Sequence, residues 1–469
     1  MRGLALGVLG TLILSGCGSE SAAPTSQGNG VSLSISGPDA KKAVTADAKG
    51  KQPTIPSYSD AVKLLIQRAN TAVVNGQYKG AVEALSQAIG LTPEDASLLR
   101  MRADVYSLLG EMANARADFS TAVRLAPTNA ELFNARGYFL MSQGLPAEAK
   151  ADFDKAVELN PKHAAALNNR GLIALTGQDF KAAEADFTKA LDADRKFADA
   201  WNNRGFARMK QNQLEAAQKD VRQALSLKDD YVTAWNNSGL ISMQLQKFEE
   251  AEKAFARAVE LDPMDVRWLT HQRAALIKLN RFQEAQATAS RIEWLNELTT
   301  LTQQATRSSR NPDGWILRGR HLMKGEEFGA AVQDFTRAIV VNPGNPVALY
   351  DRAVAWSKTG DMQKAMLDCE QSLVSKPSRE AYSLRGDLWM NLDNLDQAIA
   401  DFEAAGRIDA QVADAYEKRS AKRRESGDAE TAKADASRAA EIREALRDKP
   451  KSAPQQTASG EGFDPAVAK

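Results

Sequence analysis

A period of 34 residues limits what this chain can fold into more than any other feature of it. The clearest copy runs from Ala164 to Phe197. With Ala164 counted as position 1, Leu167, Gly171 and Ala174 recur at spacings of three and four, which is one face of a helix. After a turn at Gly177-Gln178, Ala183, Phe187 and Ala190 repeat the spacing, with small residues where two helices must approach closely. The unit predicts an antiparallel helical hairpin. Further copies start at Val62, Ala96, Ala130, Ala198, Val232 and a degraded one at Val266; after a 12-residue insertion they resume at Pro312, Pro346, Arg379 and Ala413. Eleven such hairpins predict a solenoid, because each can bury its inner face only against its neighbours.

Certain positions keep their chemistry from copy to copy. Position 4 is aromatic in Phe133, Trp201, Trp235 and Trp315, and position 8 is glycine at 137, 171, 205, 239, 319 and 386. Position 24 is Phe at 119, 153, 187, 255, 335 and 402, and position 32 is Pro at 93, 127, 161, 263, 343 and 377. On these residues the chain, from about 62 to 446, resembles the tetratricopeptide repeat family. The resemblance implies an all-α fold, a right-handed α-α superhelix. Its inner groove, lined mostly by the first helix of each hairpin, would hold a peptide or protein partner.

Lys plus Arg and Asp plus Glu number 60 each, so no excess charge steers the surface toward nucleic acid, and no nucleic-acid partner is expected. Two cysteines, Cys17 and Cys369, are too few for a disulfide framework. Cys369 stands at position 24 and reads as a small buried hydrophobe. The apolar run from Leu4 to Leu14 follows Arg2 and is too short to span a bilayer, but it suits a secretory signal. Leu14-Ser15-Gly16-Cys17 resembles the lipobox of bacterial lipoproteins, which implies cleavage after residue 16 and acylation of Cys17. Gly18 follows it, where Asp would imply retention at the inner membrane, so the resemblance implies the periplasmic face of the outer membrane. Residues 17–57 and 449–469 are rich in Ser, Gly, Ala, Pro and Lys without helical period, and read as a flexible tether and a disordered tail.

The organisation expected between them is an array of about seven hairpins over 58–306 and a second of four over 307–448. In the seventh copy Gln272 and Arg273 replace the usual residues at positions 7 and 8, and a helical pattern runs on through Trp294, Leu298 and Leu301. This reads either as a lengthened helix closing one array near 290–312 or as an insertion within one superhelix. The last copy, rich in Lys, Arg, Glu and Ala, reads as a polar cap.

Two polar ladders cross the copies. Position 7 is Arg in nine of them, and position 23 is Asp in eight of those nine; where Ser238 and Gln272 replace the Arg, Ala254 and Thr288 replace the Asp. Residues that come and go together within a unit predict an ion pair between its two helices, not a comb of cations for a ligand. The second ladder is Asn169, Asn203 and Asn237 at position 6, with Asn168, Asn202 and Asn236 beside them. Amides both donate and accept, so a row of them can grip an extended peptide backbone, similar to the asparagine ladder of substrate-binding glycosyltransferase repeats. Positions 9 and 12 add Tyr138, Leu172, Phe206 and Leu240, then Met141, Leu175, Met209 and Met243, an apolar strip suited to variable partners. The competing reading packs both ladder and strip between neighbouring first helices.

The three histidines, His163, His271 and His321, fall at unrelated positions, and neither a phosphate loop nor a nucleophile elbow occurs. No catalysis, metal or cofactor is expected. The expected function is a lipid-anchored scaffold that assembles an envelope complex through peptide or protein partners. Repeat lipoproteins of similar build serve pilus assembly, outer-membrane protein insertion or control of peptidoglycan hydrolases. The alternatives are an accessory subunit of a peptidoglycan- or polysaccharide-acting enzyme, and a self-associating structural protein.

Overall fold

The computed structural model describes residues 58–447; the expected signal, Cys17, tether and tail lie outside them. Among the described residues there are twenty-two α-helices and no strand, paired into the eleven hairpins that the period predicts. The fourth hairpin is helix Ala164–Thr176 followed by helix Phe180–Ala193. The others begin at the predicted starts, except that the first hairpin opens at Asp60 and the last at Ala410.

Each hairpin turns at the same backbone position. Position 15 is left-handed in all eleven, as Gly in five, such as Gly110 and Gly144, and as Gln178, Asn212, Gln246, Asn280, Glu326 and Asp393 in the rest. Gly177, which marked the turn in the sequence, has an ordinary φ of −74°, and the strained residue is Gln178 at 62°. Start signals vary. Asp95, Asn129 and Asn345 cap their helices with side-chain oxygens, and His163 does so with its Nδ1.

The two helices meet where position 8 faces position 24. A Cβ on Gly171 would lie 2.7 Å from Phe187 Cε1, and one on Gly319 would lie 2.5 Å from Phe335 Cε1. Glycine therefore lets a buried phenylalanine ring lie against the helix backbone. In the ninth hairpin the partners are smaller, Ala353 and Cys369, both buried. Burial pushes the Cys369 thiol up to about 12, which leaves it an inert core group.

Two compact units divide between Ile292 and Glu293. In the first, six complete hairpins are followed by helix Val266–Lys278 and the start of helix Phe282–Arg307. The division falls inside that 26-residue helix, not after it. In the second unit, the rest of the helix takes the place of a second helix ahead of hairpin eight. Thr302 lies ten residues before Pro312, the offset at which Asp154 precedes Ala164. Ala305 is buried against Gly314, and Trp294 stacks on His321 with ring centroids 5.0 Å apart. The tryptophan Nε1 donates to the His321 carbonyl, and its own carbonyl lies 2.9 Å from His321 Nε2.

Candidate protein-binding face

All eight expected ion pairs form, each as a fork. Nε and Nη2 of Arg102, Arg136, Arg170, Arg204, Arg318, Arg352, Arg385 and Arg419 donate to the two oxygens of the position-23 Asp at 2.5–2.9 Å. All eight carboxylates are buried. Several guanidiniums also reach the preceding hairpin, a link not foreseen from the sequence. Nη1 donates from Arg102 to Ser86, from Arg170 to Asp154, from Arg318 to Thr302 and from Arg352 to Thr336 at 3.0–3.2 Å. These cations are spoken for within the fold.

The asparagines require a correction. Asn168, Asn169, Asn202, Asn203, Asn236 and Asn237 are between 0% and 6% exposed, so their side chains are not open along a groove. They bond to each other. Asn169 Nδ2 donates to Asn134 Oδ1 at 3.0 Å, Asn203 to Asn168 at 3.0 Å and Asn237 to Asn202 at 2.8 Å. His271 Nδ1 closes the series 2.6 Å from Asn236 Oδ1. Every rung joins position 6 of one hairpin to position 5 of the hairpin before it. Burial lowers the His271 pKa, and the charge of Arg267 adds to the effect.

The apolar strip divides in two. Leu172, Met209 and Met141 are buried between helices, whereas Tyr138, Leu175, Phe206, Leu240 and Met243 stay partly open on the first helices of hairpins three to six. Phe206 also carries Lys210, whose Nζ lies 5.2 Å from the ring centroid. Toward hairpin two the chemistry turns ionic. Arg100 and Asp104 pair at 3.0 Å, and His163 Nε2 lies 3.0 Å from Glu131. Burial pushes Asp104 up to about 6 despite Arg100, while Glu131, though burial opposes it, is held below its ordinary range by His163 and Arg100. Among the described residues no group of three or more His, Cys, Asp or Glu side chains could hold a metal ion. No helix among them is long and apolar enough to cross a membrane.

A curated relative, small glutamine-rich tetratricopeptide repeat-containing protein 2 of Mycosarcoma maydis, is 28% identical over 92 residues, 19% of this chain and 26% of its own length. The chain spans 25–30% of the length of the curated relatives it matches. Among solved structures, PilW, described as a type IV pilus biogenesis factor, is 23% identical, with a TM-score of 0.41 over 47% of this chain and 100% of that one. PilF of Pseudomonas aeruginosa is 19% identical, with a TM-score of 0.42 over 45% of this chain and 97% of that one. The tetratricopeptide repeat family model matches residues 66–130, 134–200, 202–266 and 316–380, more than half of the sequence. The chain belongs to the tetratricopeptide repeat family.

Proposed function

We propose that this protein is a non-enzymatic scaffold, held by a lipid on Cys17 at the periplasmic face of the outer membrane, that grips extended segments of partner proteins on hairpins three to six. The family's role in protein interaction supports the general reading. The observation that carries the particular site is the row of partly open apolar side chains, Tyr138, Leu175, Phe206, Leu240 and Met243, one or two per hairpin. Such a row gives a peptide an apolar rail, while the amides of the ladder fix the spacing of the helices that bear it. The lipobox-like Leu14-Ser15-Gly16-Cys17 supports the anchor. Each buried acyl methylene contributes about 0.8 kcal/mol, so two or three chains hold a protein stably to a bilayer.

Crosslinking in cells, followed by identification of the captured chains, tests the site against a Phe206→Asp, Leu240→Asp double variant. The variant is expected to keep its circular dichroism and lose the partners of the native protein; an unchanged set of partners removes this face from consideration. Cys17→Ser is expected to move the protein out of the membrane fraction. If the captured partner is a peptidoglycan- or polysaccharide-acting enzyme, the scaffold is its accessory subunit.

A further inference from the structure

Neighbouring hairpins meet at a recurring seam. Position 3 of the incoming first helix is buried beneath the preceding second helix, as Leu98, Leu132, Ala166, Ala200 and Ala348 are. The position-7 arginine reaches back to the position-25 side chain ahead of it, as Arg102 does to Ser86 and Arg352 to Thr336.

The described residues begin and end on two unmatched halves of that seam. At one end, helix Asp60–Val74 presents Leu64, its position-3 residue, 65% exposed. Arg68 beside it has no acceptor among the described residues, because Ala84 stands where Asp stands elsewhere and no second helix precedes it there. A cleft of about 370 Å³ opens between Leu64, Arg68, Thr71 and Gln77. At the other end, helix Ala429–Arg447 presents Ser437, the position-25 residue, exposed and without a partner among the described residues. It stands over a cleft of about 530 Å³ floored by Ala429, Ala436 and Ala440. Position 21 there is Lys433, which lines the cleft together with Arg424; at the internal joint ahead of Arg170 the lysine at this position, Lys150, is paired with Asp154 at 2.7 Å.

We propose that these halves belong together in different molecules: copies of this chain associate head to tail, hairpin one of one copy docking on helix Ala429–Arg447 of the next. Leu64 enters the alanine-floored cleft and Arg68 Nη1 donates to Ser437 Oγ, as Arg102 does to Ser86 within the chain. A second copy fits this face because it carries the position-25 surface in the register that the joints ahead of Arg102, Arg170, Arg318 and Arg352 use. The contact is heterologous, so each added copy leaves one head and one tail open, and assembly does not stop at a dimer. One helix-pair seam is a small interface, so the association belongs to the micromolar range. The inference does not depend on the peptide-binding reading.

Sedimentation velocity on the full chain in mild detergent, from about 1 to 200 μM to bracket that range, tests it. The native protein is expected to grow past the dimer as concentration rises. Leu64→Lys and Ser437→Arg, both at exposed positions, are each expected to keep the native circular dichroism and stay monomeric, because the first sets a cation against Arg424 and Lys433 beside the cleft and the second sets one against Arg68. Mixed together, the two variants are expected to form a dimer that grows no further, because one lends a sound tail and the other a sound head. A native protein that stays monomeric throughout, single variants that associate like the native chain, or a mixture that forms no dimer would each overturn the proposal.

Discussion

The Arg170 guanidinium is held by both oxygens of Asp186 on its own hairpin, at 2.7 Å, and by Asp154 on the preceding one, at 3.0 Å. Its Asp186 hydrogen bonds raise its pKa further against the opposing effect of burial, so it is charged at any pH the protein meets. Such a pair contributes little over two well-packed apolar residues, but removing one partner strands a buried charge at a cost of about 3–5 kcal/mol. Arg170→Ala is therefore expected to lower stability by about that amount, while Arg170→Met with Asp186→Leu recovers most of the loss. A stacked array need not unfold in one step, so hydrogen exchange within hairpin four is the proper measurement. If the single variant leaves exchange there unchanged, the fork does not hold the hairpin closed. The same guanidinium position often lies over the position-4 ring as well, Arg204 being 4.7 Å from the centroid of Trp201.

Between elements, the buried amides tie each first helix to the next from hairpin three to seven. Changing Asn169, Asn203 and Asn237 together to Ala removes three donors and leaves the oxygens of Asn134, Asn168 and Asn202 buried without them. Each stranded acceptor costs about 1–3 kcal/mol, so the triple variant is expected to show a clearly lower denaturant midpoint. An unchanged midpoint would mean that water or the open face satisfies these groups. The sequence pointed these amides at a peptide because an amide suits a peptide backbone and another amide equally well, and composition does not choose between them. Burial does. The clue was present in the spacing: Asn134 and Asn169, Asn168 and Asn203, Asn202 and Asn237 all stand 35 residues apart, one repeat plus one. What was legible lay inside single units, where the period places the helices and the joint loss of Arg and Asp reveals their pairing. Links between units were not: neither the reach from position 7 back to position 25, nor the return of Trp294 to Arg307 to repeat phase, follows from reading copies one at a time. The second is not legible because the first helix that should accompany that phase is missing from the sequence.

Over the whole array, stability is a sum of hairpin terms and joint terms, and this chain weakens both kinds in one place. Hairpin six has Ser238 and Ala254 where hairpin five has the Arg204–Asp220 fork, and hairpin seven has Gln272, which among the described residues donates to Glu252 at 3.3 Å. Ser238 is too short to make the reach that Arg204 makes toward Thr188. The amide rungs continue through both hairpins, Asn237 to Asn202 and His271 to Asn236, so the first helices stay tied while the second helices lose their staple. Opening there is expected to release second helices before first ones. A missing charge-assisted bond is worth about 1.5–3 kcal/mol, so amides of helix Phe248–Leu261 should exchange roughly ten- to a hundredfold faster than those of helix Phe180–Ala193. Installing Ser238→Arg with Ala254→Asp should close that difference. Ala254→Asp alone should widen it, since Ala254 is buried and an unpaired carboxylate there has no counter-charge. Equal exchange in the two helices of the native protein would mean that apolar packing around Phe255 already supplies what the fork supplies elsewhere. The weak place would then have to be sought at the ends of the array, where Arg68 has no carboxylate to hold among the described residues.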